Sequence, residues 1–208
     1  MTPVYKLSAS SITGRTTYGS MLAGNTAYEL IGDFESIATV SVGSGGAADV
    51  TFSSIPATFT HLQIRYIVKN EFSGSGSNYL EGQLNSDTGN NYAAHALFGT
   101  GASVTATGSS SRNTIRVGIV TPTYATPSGF SAGVIDILDY ANTNKYTTIR
   151  ALGGYDSNNV NTEPGYAGLF SSLWQNTNAV TSIKLFNGNT SFELTEYSQF
   201  ALYGIRSA

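Results

Sequence analysis

The sequence predicts an all-β protein: an antiparallel β-sandwich or jelly roll over residues 34–208, preceded by an extended N-terminal arm over residues 1–33. Three observations carry this expectation. From Phe34 onward, short apolar–polar alternations recur with turn signals between them, the period of strands with one buried face. No stretch in that region shows a convincing 3.6-residue apolar period. The first 33 residues hold Val4, Tyr5, Leu7, Ile12, Tyr18, Met21, Leu22 and Tyr28, yet follow neither period over any useful length. Apolar groups that a segment cannot bury within itself must be buried against something else.

Taken in order, Ser36–Val42 alternates, Gly43-Ser44-Gly45-Gly46 supplies a flexible turn, and Ala48–Phe52 returns, which reads as a hairpin. Ile55-Pro56-Ala57 breaks pairing because proline has no amide donor for a ladder. The clearest strand sets Leu62, Ile64, Tyr66 and Val68 on one face and Gln63, Arg65 and Lys69 on the other, with Ile67 as the exception. Further strands are expected near 79–84, 92–98, 114–120, 132–138, 146–152, 167–175, 181–186 and 199–205. Their even spacing favours a sandwich or jelly roll over a parallel α/β sheet. The polar gaps 73–78, 99–112 and 156–165 read as loops. The expected core is Val40, Phe52, Leu62, Ile64, Tyr66, Leu84, Ile135, Ile137, Leu173 and Leu202.

Composition narrows the function. Of 208 residues only 11% are charged, against about 25% in ordinary soluble proteins. Solubility therefore rests on hydroxyls and amides, as on particle-bound and extracellular surfaces. A net charge of −3, with the Lys and Arg scattered, argues against a nucleic-acid partner. The absence of cysteine excludes a disulfide scaffold, thiolate zinc sites and a cysteine nucleophile. The sequence shows no signal-peptide pattern and no apolar run long enough to span a bilayer, so no membrane partner is expected and synthesis in a cytoplasm is.

Residues with catalytic chemistry are few. His61 and His95 fall in different strands, and neither stands near a strained nucleophile turn of the G-x-S-x-G kind. Both read as half-buried, hydrogen-bonded structural histidines. No pair among the thirteen carboxylates stands out as an acid/base pair. The loop Asn85–Asn91 superficially resembles a calcium loop but lacks its terminal bidentate glutamate, so a β-turn is the expectation. Alternation places Asp136 and Asp139 on different sides of their strand. The sequence thus predicts no catalytic residue, no cofactor and no metal. Thirteen tyrosines against one tryptophan suit protein interfaces and sugar platforms alike.

Several stretches carry a family resemblance. FESIATV at 34–40 with VGSGG at 42–46, FSSIPATFTHL at 52–62, LNSDTGNNY at 84–92, IDILDY at 135–140 with TNK at 143–145, the segment 168–183 around Leu173-Trp174, and YSQFALYGI at 197–205 resemble small virion proteins of tailed bacteriophages. In the arm, ITGRTTY at 12–18 and SMLAGNTAY at 20–28 resemble leaders on cyanophage-type structural proteins. The resemblance implies a non-enzymatic structural protein of the virion and carries over no catalytic residue. Together with the short chain, which has no shaft repeats or coiled-coil heptads, it favours a capsid decoration or cement protein. The alternative is a short tail-fibre, tail-tip or baseplate protein that binds a host-surface glycan. The expected partners are the major capsid protein or tail proteins, and further copies of the chain in a homotrimer. The expected assembly contacts are Ile12, Arg15, Tyr18, Met21, Leu22 and Tyr28.

Overall fold

The computed structural model describes residues 33–73, 78–123, 128–157 and 165–206. The six expected assembly contacts of the arm, Ile12 to Tyr28, lie outside the described residues. The chain forms β1 (Phe34–Ser41), β2 (Asp49–Phe52), β3 (His61–Asn70), β4 (Asn78–Leu84), β5 (Tyr92–Gly99) and β6 (Val104–Arg112). It continues through β7 (Ile115–Pro122), β8 (Ser131–Leu138), β9 (Thr147–Tyr155), β10 (Tyr166–Trp174), β11 (Ile183–Asn187) and β12 (Gln199–Ile205). No helix occurs among the described residues, and none is long and apolar enough to cross a membrane.

Pairing divides the strands into two antiparallel sheets. The larger runs β1-β12-β3-β8-β9-β10-β5-β6 and the smaller β2-β11-β4-β7. Without β5, β6, β9 and β10, the remaining eight strands pair as β1 with β12, β2 with β11, β3 with β8 and β4 with β7. That is the strand order of a jelly roll, a folded-over double ribbon of eight strands. The four additional strands are two inserted hairpins, β5–β6 and β9–β10, which join through β10 and β5 and extend the larger sheet past β8.

The core lies between the sheets. Leu62, Ile64, Tyr66 and Val68 of β3 face it, with Ile135 and Ile137 of β8, Phe170 and Trp174 of β10, and Leu80, Leu84, Ile183 and Leu185 of the smaller sheet. Burial of the alternate residues of β3 follows the period-two pattern of its sequence. Of the expected core, Phe52, Leu84 and Leu202 are also buried, while Val40 is half-buried at the margin.

Three expectations are corrected. Residues 36–42 and 48–52 do not form a hairpin: β1 pairs with β12 and β2 with β11, so the intervening glycines carry the chain from one sheet to the other. Gly45 and Gly46 take positive φ of 101° and 75° there, open to glycine and strained for other residues. Residues 104–112, expected within a loop, are the edge strand β6 on β5; its Thr, Ser and Gly side chains are mostly exposed, so no apolar alternation announced it. Leu173 points away from the core and Trp174 points in, because β10 buries its even-numbered residues.

The sheets are joined along β7, the edge strand of the smaller sheet. At its end, Lys69 and Asn70 of β3 pair in parallel with Thr121 and Pro122. Along its length, the Ser172 hydroxyl of β10 donates to the Arg116 carbonyl and accepts from the Arg116 amide, both at 3.0 Å. Ser131 of β8 donates its hydroxyl proton to the Ile119 carbonyl. These side chains satisfy backbone groups that an edge strand otherwise leaves unpaired inside the sandwich. The register of β7 against β4 shifts between Leu80 and Glu81, which leaves Val117 as a bulge.

Between Ser131 and Ser172 the Tyr66 ring crosses the sandwich into a socket of three glycines, Gly118 of β7, Gly133 of β8 and Gly153 of β9. A Cβ at any of them would overlap its hydroxyl. Burial pushes the Tyr66 phenol well above its ordinary range, so it stays neutral. The hydroxyl has no hydrogen-bond partner among the described residues. Gly118→Ala is expected to destabilise the fold by about 1–3 kcal/mol through overpacking. At Gly118 the ring carbon Cζ lies 3.1 Å from the Cβ position, so removing the hydroxyl opens most of the missing space. Urea unfolding of a double-mutant cycle checks this: the cost of Gly118→Ala should fall clearly when Tyr66→Phe is also present.

Candidate surface trough

The two inserted hairpins and β8 form a trough on the outer face of the larger sheet, away from the core, with a volume of about 1050 Å³. Strand register arranges its floor in rows that run across the strands. One row is apolar: Val134, Leu152, Leu169, Leu97 and Ala106, on β8, β9, β10, β5 and β6 respectively. Beside it runs a polar row, Asp136, Arg150, Ser171, His95 and Gly108. On the other side, outside the trough's lining, Ala132, Gly154, Ala167 and Gly99 make a row of small residues that ends at Val104 of β6.

The apolar row is open to solvent. Leu152, Leu169 and Leu97 are 59%, 56% and 47% exposed. Ile67, Leu138, Val104 and Phe34 lie on the same outer face, and of the other large exposed apolar residues described, Tyr146 and Tyr197, neither belongs to a strand of this sheet. A contiguous apolar surface of this kind marks a place of contact rather than ordinary scatter.

The polar row is positioned by its neighbours. Asp136 accepts a hydrogen bond from Gln63 Nε2 at 2.8 Å, and Gln63 Oε1 accepts one from Arg65 Nε at 3.1 Å. The Arg65 guanidinium in turn lies over the Phe34 and Tyr203 rings at 5.3 and 5.7 Å. The His95 imidazole packs against Gly108, where a Cβ would sit 2.5 Å from its Cδ2. Ser171 stands opposite His95, but Asp136 is three strands away, about 14 Å at ordinary strand spacing. An aspartate at that distance cannot orient the imidazole, so the row is not a Ser–His–Asp triad.

The other residues singled out in the sequence have structural roles. His61 is half-buried as expected, and its Nδ1 accepts the Asp139 amide hydrogen at 2.9 Å. His95 departs from expectation: it is exposed, in the trough. Asp139 faces Lys145 and His61; the Lys145 hydrogen bond holds its carboxyl below the usual range against the opposing effect of burial, with the Lys145 charge adding to the depression. The Asn85–Asn91 segment is a turn with positive φ at Asn85 and Ser86 and a hydrogen bond from the Asp87 amide to the Leu84 carbonyl at 2.9 Å. The Asp87 carboxylate accepts from Trp174 Nε1 at 2.8 Å, the Gly89 amide at 2.9 Å and Asn91 Nδ2 at 3.0 Å. Among the described residues no three His, Asp or Glu side chains gather as metal ligands.

Sequence reasoning flagged His95 but missed the leucines around it. The signal was present: Ala96-Leu97-Phe98, Ala151-Leu152 and Leu169-Phe170 put apolar residues on both faces of their strands. No protein-family model, curated protein or solved structure matches the chain.

The Asp87 contacts make a pH prediction. Burial alone would raise this carboxyl, but the hydrogen bonds from Trp174, Asn91 and Gly89 outweigh it and hold it below its usual range. A depressed folded-state value gives stability that is present above the unfolded range, about pH 4, and lost as pH falls through the folded value. Thermal unfolding at stepped pH should therefore show the wild type losing stability below about pH 4, a loss that Asp87→Asn measurably reduces, leaving the part due to Asp139, while lowering stability at neutral pH by about 1–3 kcal/mol.

Proposed function

We propose that the protein is a non-enzymatic structural protein of a tailed-phage virion, made in the host cytoplasm, with its arm docked on the particle and its jelly roll displayed at the surface. The observation that carries this reading is the open apolar face of the larger sheet, a contact surface without a catalytic constellation. The low charge of the chain, 11% of residues, supports it, because few ionised groups need to be desolvated when subunits meet. The sequence resemblance described above supports the virion as the place. Within the virion the reading favours a capsid decoration or cement protein that contacts the major capsid protein, as a homotrimer with arms reaching neighbouring subunits.

One observation favours the tail as the second location. The row Asp136, Arg150, Ser171 and His95 offers the mixed donors and acceptors that bind a host-surface glycan. Against it, no Tyr or Trp lines the trough among the described residues, and its one phenyl ring, Phe170, is buried beneath it and offers no face for a sugar to stack on.

Deleting residues 1–32 is the test. The jelly roll contains its own core, so the truncated chain should fold, while its incorporation into particles should be abolished. Antibody labelling of intact virions gives the location: label on the heads supports decoration, label on the tails supports the second reading, and normal incorporation of the truncated chain contradicts arm docking.

A further inference from the structure

We infer that the trough is the seat of the chain's own N-terminal arm, filled by the stretch Tyr18–Leu22 of the same or a neighbouring copy. The inference concerns the chain alone and does not depend on a virion.

Shape comes first. The trough offers about 1050 Å³ above a row of exposed leucines, room for an extended segment of chain. A rod-like occupant fills it. Its apolar row crosses five strands from Val134 to Ala106, about 19 Å at ordinary strand spacing, the length of five or six extended residues. The flanking row of alanines and glycines lets a backbone approach the sheet surface closely, while the leucines meet its side chains.

Reach comes second. The described chain begins at Asp33, beside β1, on the opposite side of the larger sheet from β6. From β1 to the middle of the trough is a path of about 24 Å, five strand spacings. Residues 28–32 extend at most about 18 Å from Asp33 and fall short. Residues 18–22 can extend about 37–50 Å and reach the trough of their own chain or that of an adjacent one. Within reach, Tyr18-Gly19-Ser20-Met21-Leu22 has three apolar side chains in five residues, with two small ones between them. The arm thus supplies apolar groups in search of burial, and the trough supplies an apolar surface in search of cover.

The test uses the full-length chain with the photo-crosslinking amino acid p-benzoylphenylalanine at Met21, irradiated after purification and mapped by mass spectrometry. The expected crosslinks fall on β9, β10 and β5, within a chain or, in a mixture of isotopically heavy and light protein, between chains. Leu152→Glu with Leu169→Glu should cut their yield about tenfold or more by placing carboxylates on the apolar row. Both leucines are more than half exposed, so the fold tolerates the change, and circular dichroism checks that it does. Crosslinks to the core-side sheet, to the outer edge of β6 or to nothing, or a yield unaffected by the two glutamates, would overturn the inference. So would p-benzoylphenylalanine placed at Leu169 crosslinking to Leu169 of a second copy, which would make the face a symmetric interface instead. Normal particle incorporation of the chain lacking residues 1–32, with trough crosslinks intact in the full-length chain, would count against arm docking on the particle and leave the arm seat standing.

Discussion

The sandwich is held by its seam along β7. Along most of its length this strand has a ladder neighbour on one side only, β4, and its other edge faces the interior of the sandwich. Ser172 and Ser131 reach across from the larger sheet to its backbone, and the end of β3 pairs with it directly. Each link satisfies a backbone group whose desolvation would otherwise go uncompensated. The same strand supplies Gly118, one wall of the socket that admits Tyr66. With the sheets brought this close, the aliphatic groups of both inner faces exclude water, and that burial is the main source of stability. The seam also fixes which face of β3, β8 and β10 is turned inward, and the ladders of the larger sheet carry that choice to its other strands.

That division separates scaffold from surface. Eight strands complete a jelly roll with a closed core; the inserted hairpins β5–β6 and β9–β10 add width to one sheet. On their inner side the insertions bury Tyr92, Phe170 and Trp174 and so extend the core. On their outer side they carry nearly all of the trough, Val134 and Asp136 of β8 being the exceptions. A protein that needed only to fold would place polar residues there. Leucines instead hold three consecutive positions of one exposed cross-strand row, the feature on which the proposed contact role rests.

The sequence revealed most where a strand has one wet and one dry face. In β3 the alternation of Leu62, Ile64, Tyr66 and Val68 sufficed to assign burial, and the apparent exception, Ile67, belongs to the outer apolar face. It revealed least where pairing is non-local or both faces are alike. The glycine-rich segment at 43–46 has the chemistry of a hairpin turn, but β1 finds its partner at the far end of the chain, which no local signal specifies. Strand β6 has few buried side chains on either face, so hydrophobic periodicity could not detect it. In β10 both Leu173 and Trp174 are large and apolar, and only the register with β9 and β5 decides which is inside. The trough was hidden for the same reason: its rows run across five strands whose order the sequence does not state.

On the proposed reading the outer face of the larger sheet is covered in the working protein. Hydroxyl-radical footprinting of the full-length chain measures this directly, because oxidation of a side chain follows its contact with water. Leu97, Leu152 and Leu169 are about as exposed in the described fold as Tyr146, which lies outside the face. With each rate corrected for intrinsic reactivity, the account predicts that the three leucines react several-fold more slowly than their exposure dictates, while Tyr146 and Tyr197 react in proportion to theirs. Oxidation of all five in proportion to exposure would contradict it.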